Sequence, residues 1–514
     1  MKVSRVYSAQ VSGLSGVPIS VETDVTTGVY SFVIVGLPDQ SVAESKERVH
    51  AALKNSGYDS PKSRNHKLTV SLAPADIRKE GPVFDLAIAI SYLVSVGDIK
   101  REDIEDFVFV GELSLMGELQ PMKGALAIAR AVSEVSKIKN KKIKLFLPKI
   151  NSFEAALIND IKVYGVNNIK EVIEYLKNNL ELIPTPLQEI KKKEHHYPDI
   201  GEVKGQALAK RALTIAAAGG HNICLYGPPG TGKTMLAKAF TGILPSLSFE
   251  ESLEVTGIHS IAGADKDIIS HPPLRAPHHT GSYVSIIGGG SVPKPGEITL
   301  AHRGVLFLDE FPEHDSKTLE AMREPLEDGI VRISRARGSE VFPAEFILLA
   351  AMNPCPCGYM GSKVKDCTCK PHDIERYQRK VSGPIMDRID LWVFVQNIAY
   401  EELSKKGDDI KVSPKLREDI VSARIFSKSR NENLKIKNKL NKNYTGKELH
   451  SVAALGESEV ATLNRLANQL NISPRAYHRM QRVARTIADL EGSEKVTENH
   501  ILEAFQYRPK LNIH

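Results

Sequence analysis

The run GPPGTGKT, Gly227 to Thr234, lies between the apolar stretch NICLY and the amphipathic run MLAKAF. A triphosphate requires this order of residue types. Gly227, Gly230 and Gly232 let backbone N–H groups approach phosphate oxygens, with Pro228, Pro229 and Thr231 completing the loop. Lys233 then reaches the β and γ groups, and Thr234 offers a hydroxyl to Mg²⁺. Downstream, GVLFLDE reads as a buried strand ending in Asp309 and Glu310. Paired carboxylates there suit a metal and an attacking water, the competing reading being an acidic helix start after a core strand. FILLAAMN ends in Asn353, whose amide can hold that water, because polar residues at strand ends of open α/β sheets are often site residues.

Four of the five cysteines follow at once, as C-x-C, nine residues, C-x-C: Cys355, Cys357, Cys367 and Cys369. Four thiolates suffice for one closed tetrahedral Zn²⁺ site, although the spacing departs from the C-x2-C of zinc ribbons. The alternative is four buried or free thiols, against which GYMGSKVKD is too polar to make a core. A closed site has no open position for catalysis, so its expected work is structural. Cys224, inside the strand before the P-loop, reads as a core residue.

The elements that must position these groups alternate along the chain. Up to about Leu182, strand-like runs (SFVIVGL, HKLTVSLAP, DFVFVGEL, IKLFLP) exchange with helical ones (SVAESKERVHAALKNSG, FDLAIAISYLVSVG, KGALAIARAVSEVS). That pattern predicts an α/β domain over 1–182. A proline-bearing, charged linker without apolar period follows at 183–200. Residues 201–398 form a second α/β unit, and 399–514 turn helical, with a lysine-rich interval, RIFSKSRNENLKIKNKLNKN, that is either solvated or phosphate-contacting.

Composition bounds the rest. At 514 residues, 42% hydrophobic and 25% charged, the chain is globular and too long for one core. The N-terminal stretch lacks the apolar run of a signal peptide, and no later run approaches about 18 uninterrupted apolar residues, so a cytoplasmic protein without a membrane partner is expected. A net charge of +6 over this length excludes arguing nucleic-acid binding from global charge.

GPPGTGKT, FLDE and AAMN, in this order and spacing, resemble the AAA+ ATPases. APHHT, GGGSVPKPGEITLAHRGVLFLDE, MNPCPCG and SGPIMDRIDL narrow the resemblance to the magnesium-chelatase-like ComM/YifB family, which GLPDQSVAESKERV and LAPADIRKEGPVFDLAIAI also fit. The resemblance covers nearly the whole chain. It implies an AAA+ P-loop core with a helical lid, a homo-hexameric ring with ATP and Mg²⁺ between subunits, an arginine-finger role for Arg388 and a second-sensor role for Arg475. A structural Arg–Asp pair on a helix is the alternative for the first.

RKEGPVFDLAIAI and GELQPMKGALAIA resemble the Lon-protease fold, but Val83 and Leu126 stand where that fold carries serine and lysine, so a non-proteolytic domain is expected. Lys79, Glu80, Asp85 and Lys123 read as surface or capping groups. Within GIVRISRARGSEVFPAEF, alternating apolar residues flank an Arg-Gly-Ser turn and predict a β-hairpin. Helicase-like relatives carry a pore-facing hairpin here, which would set Arg335 and Arg337 against DNA phosphates; a solvated tip is the competing account. His278 and His279 belong to a pore loop or to a packed turn. The resemblance thus points to an ATP-dependent DNA helicase acting on single-stranded and branched DNA, driving branch migration during natural transformation and homologous recombination, with recombination proteins as further partners. The second reading is a chelatase-like ATPase that remodels a protein partner.

Overall fold

The computed structural model describes residues 3–187, 197–263, 268–290, 293–335, 338–362, 364–398 and 411–509, and only the backbone of 334, 335, 338 and 339. The chain divides into two compact units, residues 1–191 with 252–269 and residues 192–251 with 270–514.

The first unit is built on a seven-stranded sheet of order β3-β4-β2-β1-β5-β6-β7. Its strands are β1 (Ser4–Ser12), β2 (Ser15–Thr27), β3 (Ser31–Val35), β4 (His66–Ala73), β5 (Phe107–Phe109), β6 (Lys144–Pro148) and β7 (Lys162–Val166). β1 and β2 form an antiparallel hairpin with Val6 opposite Val21. The sequence hid this hairpin because Ser4, Ser8 and Gln10 take inward positions of β1, so no apolar alternation shows. Helix Asp85–Ser95 is apolar almost all round and correspondingly buried.

Val83 packs on the apolar core, and Leu126 is fully buried in a cluster with Leu157 and Leu253. Both positions carry packing and no nucleophile. Two of the polar residues read as surface groups are instead interior. Lys79 is fully buried, its Nζ donating to the Ile77 carbonyl at 2.7 Å and to that of Pro74, and Asp85 accepts from Arg48 Nε at 2.6 Å and from the Leu113 N–H at 3.2 Å. Sequence context does not reveal such pairing, since Arg48 lies far away in the chain.

The second unit carries a five-stranded sheet of order β16-β8-β15-β12-β9, every neighbouring pair parallel. β8 (Ile223–Tyr226), β12 (Val305–Leu308) and β15 (Ile347–Met352) are buried throughout, the property that lets a parallel strand be covered on both faces. β9 (Leu274–Arg275) and β16 (Leu391–Phe394) form the edges. A two-residue ribbon joins β10 (Gly288–Gly289) to β11 (Lys294–Pro295).

β13 (Ile330–Arg335) and β14 (Gly338–Pro343) make the expected antiparallel hairpin, with Val331 opposite Phe342. Val331, Ile333 and Phe342 are buried, while Val341 faces outward. The Arg335 side chain and all of Arg337 lie outside the described residues.

Helices Ser413–Asn433, Gly446–Ala453, Glu457–Gln469, Pro474–Leu490 and Glu498–Gln506 follow, and Val483 and Ile487 share one core with Leu225 and Leu391 of the sheet. More than half of the lysine-rich interval is helical: Arg424–Asn433 completes the helix Ser413–Asn433, a short 3-10 helix covers Asn441–Asn443, and the residues between are loop. Among the described residues no helix is long and apolar enough to cross a membrane.

Candidate nucleotide site

The P-loop leaves the C-terminal end of β8 and enters the helix Lys233–Ile243. A Cβ on Gly227 would lie 2.2 Å from the Val395 carbonyl oxygen, so only glycine allows the loop to turn there. Gly232, at φ 87°, precedes the first helical turn, and no side chain caps that turn. The helix therefore presents unpaired N–H groups and the positive end of its dipole toward the loop.

Lys233 Nζ donates to the carbonyl oxygens of Gly227 at 2.7 Å and Pro228 at 2.8 Å, and to Asn353 Oδ1 at 3.3 Å. Burial lowers its pKa to about 8 against the smaller opposing pull of Asp309. Thr231 Oγ1 donates to the Pro228 carbonyl at 2.9 Å and closes the loop on itself. Thr234 Oγ1 donates to Asp309 Oδ2 at 2.9 Å, so hydroxyl and carboxylate already converge on one point. The sheet order explains the meeting: β8 lies beside β15, and β15 beside β12, which brings Lys233, Asn353 and Asp309 to neighbouring strand ends.

Glu310 follows Asp309 in a left-handed conformation, φ 50°, and its Oε2 lies 3.1 Å from His279 Nδ1. His278 stacks on His279 with ring centroids 4.2 Å apart. His314 Nε2 lies 3.2 Å from the Asp309 carbonyl, its pKa lowered by burial. The histidine pair that the sequence left between pore loop and packed turn therefore adjoins the acidic pair.

The four sulfurs of Cys355, Cys357, Cys367 and Cys369 lie within 4.8 Å of one another. Cys355 Sγ is 3.5 Å from Cys357 Sγ and 3.7 Å from Cys367 Sγ, and Cys357 Sγ is 3.6 Å from Cys367 Sγ. Tetrahedral zinc, with bonds to sulfur of about 2.3 Å, holds its ligands about 3.8 Å apart. The donor set and spacing fit that ion. The N–H groups of Cys357 and Met360 point at the sulfurs of Cys369 and Cys355, at 3.3 and 3.4 Å. The loop lies directly behind the nucleotide loop, since a Cβ on Gly358 would meet Pro229 Cδ at 2.9 Å. Gln378 Nε2 bonds the Pro354 carbonyl at 3.1 Å and ties the cluster to helix Pro371–Gln378. Cys224 is fully buried, with its thiol pKa pushed up by burial.

Arg388 and Arg475 are not among these groups. Both line a cavity of about 450 Å³ together with Glu327, Asp387, Arg479 and Arg482. Arg388 pairs with Glu327 and donates to the Pro384 carbonyl at 2.6 Å, and its own carbonyl accepts from Asn222 Nδ2 at 2.8 Å. Asn222 precedes β8 and the P-loop follows it, so Arg388 sits at the opposite edge of the sheet, about 13 Å away along a four-residue strand. Arg479 was missed in the sequence. It is buried and donates to the carbonyls of Asp387 at 3.2 Å and Ile389 at 3.0 Å, bracing the loop that carries Arg388. The helical spacing of Arg475, Arg479 and Arg482 was the available signal, because it places the three on one face.

Family models agree with this architecture along the chain. Residues 199–403 match magnesium chelatase, subunit ChlI; residues 21–151 match subunit ChlI of Mg-chelatase; and residues 411–508 match the ChlI C-terminal region. The chain is 38% identical to competence protein ComM of Haemophilus influenzae, over 100% of its own length and 99% of the relative's. The chain belongs to the ComM/YifB family. Protein YifB of Escherichia coli (strain K12) is likewise 38% identical over 100% of the chain and 99% of its own length. Likeness to the magnesium-chelatase 67 kDa subunit of Chlorobaculum parvum is 30% identity over 159 residues, 30% of this chain and 23% of that one. Membership of the magnesium-chelatase-like ComM/YifB family implies ATP and Mg²⁺. The residues fit both, through the desolvated Lys233 cation and the converging Thr234 and Asp309 oxygens.

Proposed function

We propose that this chain is an ATP-driven DNA motor, a ring-forming helicase that moves strand junctions while incoming single-stranded DNA pairs into the chromosome. The full-length similarity to a protein named for competence carries the reading. Lys233 would neutralise the triphosphate, Thr234 and Asp309 would hold Mg²⁺, and Asn353 and Glu310 would position the attacking water near the γ-phosphate, with Glu310 taking its proton. Bound Mg²⁺ supplies charge stabilisation at the transferring phosphoryl group.

Placement of Arg388 and Arg475 at the far edge of the sheet favours action on a neighbouring protomer's nucleotide, and hence a ring with six members as the expected number. The Cys₄ cluster would hold zinc as a clamp behind the P-loop. The hairpin β13–β14 would meet DNA through Arg335 and Arg337. The test is ATP hydrolysis with and without single-stranded DNA at several salt concentrations. Stimulation should fall in Arg335→Ala/Arg337→Ala, with a shallower salt slope of binding. Unchanged slope and affinity in that variant would remove the hairpin from the DNA path.

A further inference from the structure

A second cavity in the ATPase-bearing unit, about 710 Å³, opens at the N-terminal edge of the sheet beside Arg303, Phe346 and Ile347. It is lined by cations from the lysine-rich interval that the nucleotide chemistry does not use. Two of them, Arg424 and Lys442, have no carboxylate partner among the described residues. Arg424 donates one Nη2 bond to the Ala217 carbonyl at 2.6 Å, which its place near the end of helix Ala207–Gly219 explains. Its Nε is buried and bonded to nothing described. Among the described residues Lys442 Nζ donates only to the Phe346 carbonyl, at 2.7 Å.

Two carboxylates share the wall and each attracts one of these cations without pairing with it, Glu251 acting on Arg424 and Glu345 on Lys442. Glu345 accepts from Arg303 at 2.6 Å, and Glu251 accepts from the Ser248 N–H at 2.9 Å. Desolvation lowers the pKa of Lys442 to about 8 and that of Arg424 to about 10. Lys437 adds an exposed charge at the rim. Arg303, Arg424, Lys428, Lys437, Lys439 and Lys442 outnumber the two carboxylates on the wall, the deep pair Arg424 and Lys442 are half-buried, and such an excess of partly desolvated positive charge favours an added anion. The volume is that of a small-molecule site.

We propose that this cavity binds a small phosphate-bearing ligand, with Arg424 and Lys442 as the deep contacts and Lys437 at the entrance. A free phosphorylated metabolite is favoured over a DNA backbone because Arg424 and Lys442 are half-buried in the wall of a cavity of small-molecule size and the Arg424 Nε is fully covered.

The test uses full-length protein carrying Lys233→Ala, which disables the P-loop, titrated calorimetrically with inorganic tripolyphosphate. One site per chain is expected, weakened on the order of tenfold by Arg424→Gln and again by Lys437→Glu. A thermal melt checks that each variant folds; should Arg424→Gln fail, the exposed Lys437→Glu decides. Tripolyphosphate affinity indifferent to these substitutions, or no binding, overturns the proposal. So does a short single-stranded oligonucleotide that displaces tripolyphosphate and loses affinity in the same variants, because the cavity would then serve DNA.

Discussion

In the proposed hydrolysis Glu310 and Lys233 have different roles, and each can be isolated. The Glu310 carboxylate is held by His279, and the P-loop contacts shown belong to other residues, so Glu310→Gln should keep ATP affinity and lower single-turnover hydrolysis on the order of 100-fold or more. Hydrolysis within a few-fold of the parent would remove it from the water-activating role. Lys233 has its pKa depressed to about 8 by burial, so above that pH the nucleotide-free site is increasingly neutral. Phosphate oxygens favour the charged form, and ATP binding near pH 8.5 should therefore take up a fraction of a proton. Uptake should vanish near pH 6.5, where the lysine is charged before and after binding, and should be absent in Lys233→Met. Calorimetry in buffers of differing ionisation enthalpy reads it directly. The same depression makes Lys233 a destabilising group when charged: between the folded value near 8 and the unfolded value near 10.4, the unfolded chain binds more protons, so this contribution to stability rises with pH.

At the scale of elements, the order of strands does most of the positioning, and the cysteine loop completes it. Removal of the Cys367 thiol leaves three donors for a site built for four, so Cys367→Ser should bind zinc weakly and lose hydrolysis through disorder behind Pro229. Atomic absorption should give one zinc per chain for the parent protein, and native protein free of zinc would end that account.

Which of this was legible in the sequence follows from range. GPPGTGKT, LDE and the cysteine quartet were readable because their chemistry lies in local spacing, and the hairpin β13–β14 was readable from its alternation and turn. The inward Ser4, Ser8 and Gln10 concealed β1, and the distant partner Arg48 concealed the burial of Asp85. His279 beside Glu310 and Arg479 beneath the Arg388 loop are contacts between strand ends and helices far apart in the chain, which spacing alone does not encode.

For the whole molecule, the decisive geometry is a separation. The P-loop leaves the C-terminal edge of β8, whereas Arg388 is held at the N-terminal edge through Asn222, so the finger proposed at Arg388 would serve a neighbouring chain's nucleotide and not its own. A motor assembled from copies of this chain would complete each site across an interface and pass hydrolysis from protomer to protomer. The most direct measurement is strand displacement on a three-stranded DNA junction, run with ATP, without ATP and with Lys233→Ala. The account predicts displacement that requires ATP and is lost in the variant. A junction that neither moves nor stimulates hydrolysis at low salt would contradict it and pass the ATPase to a protein substrate.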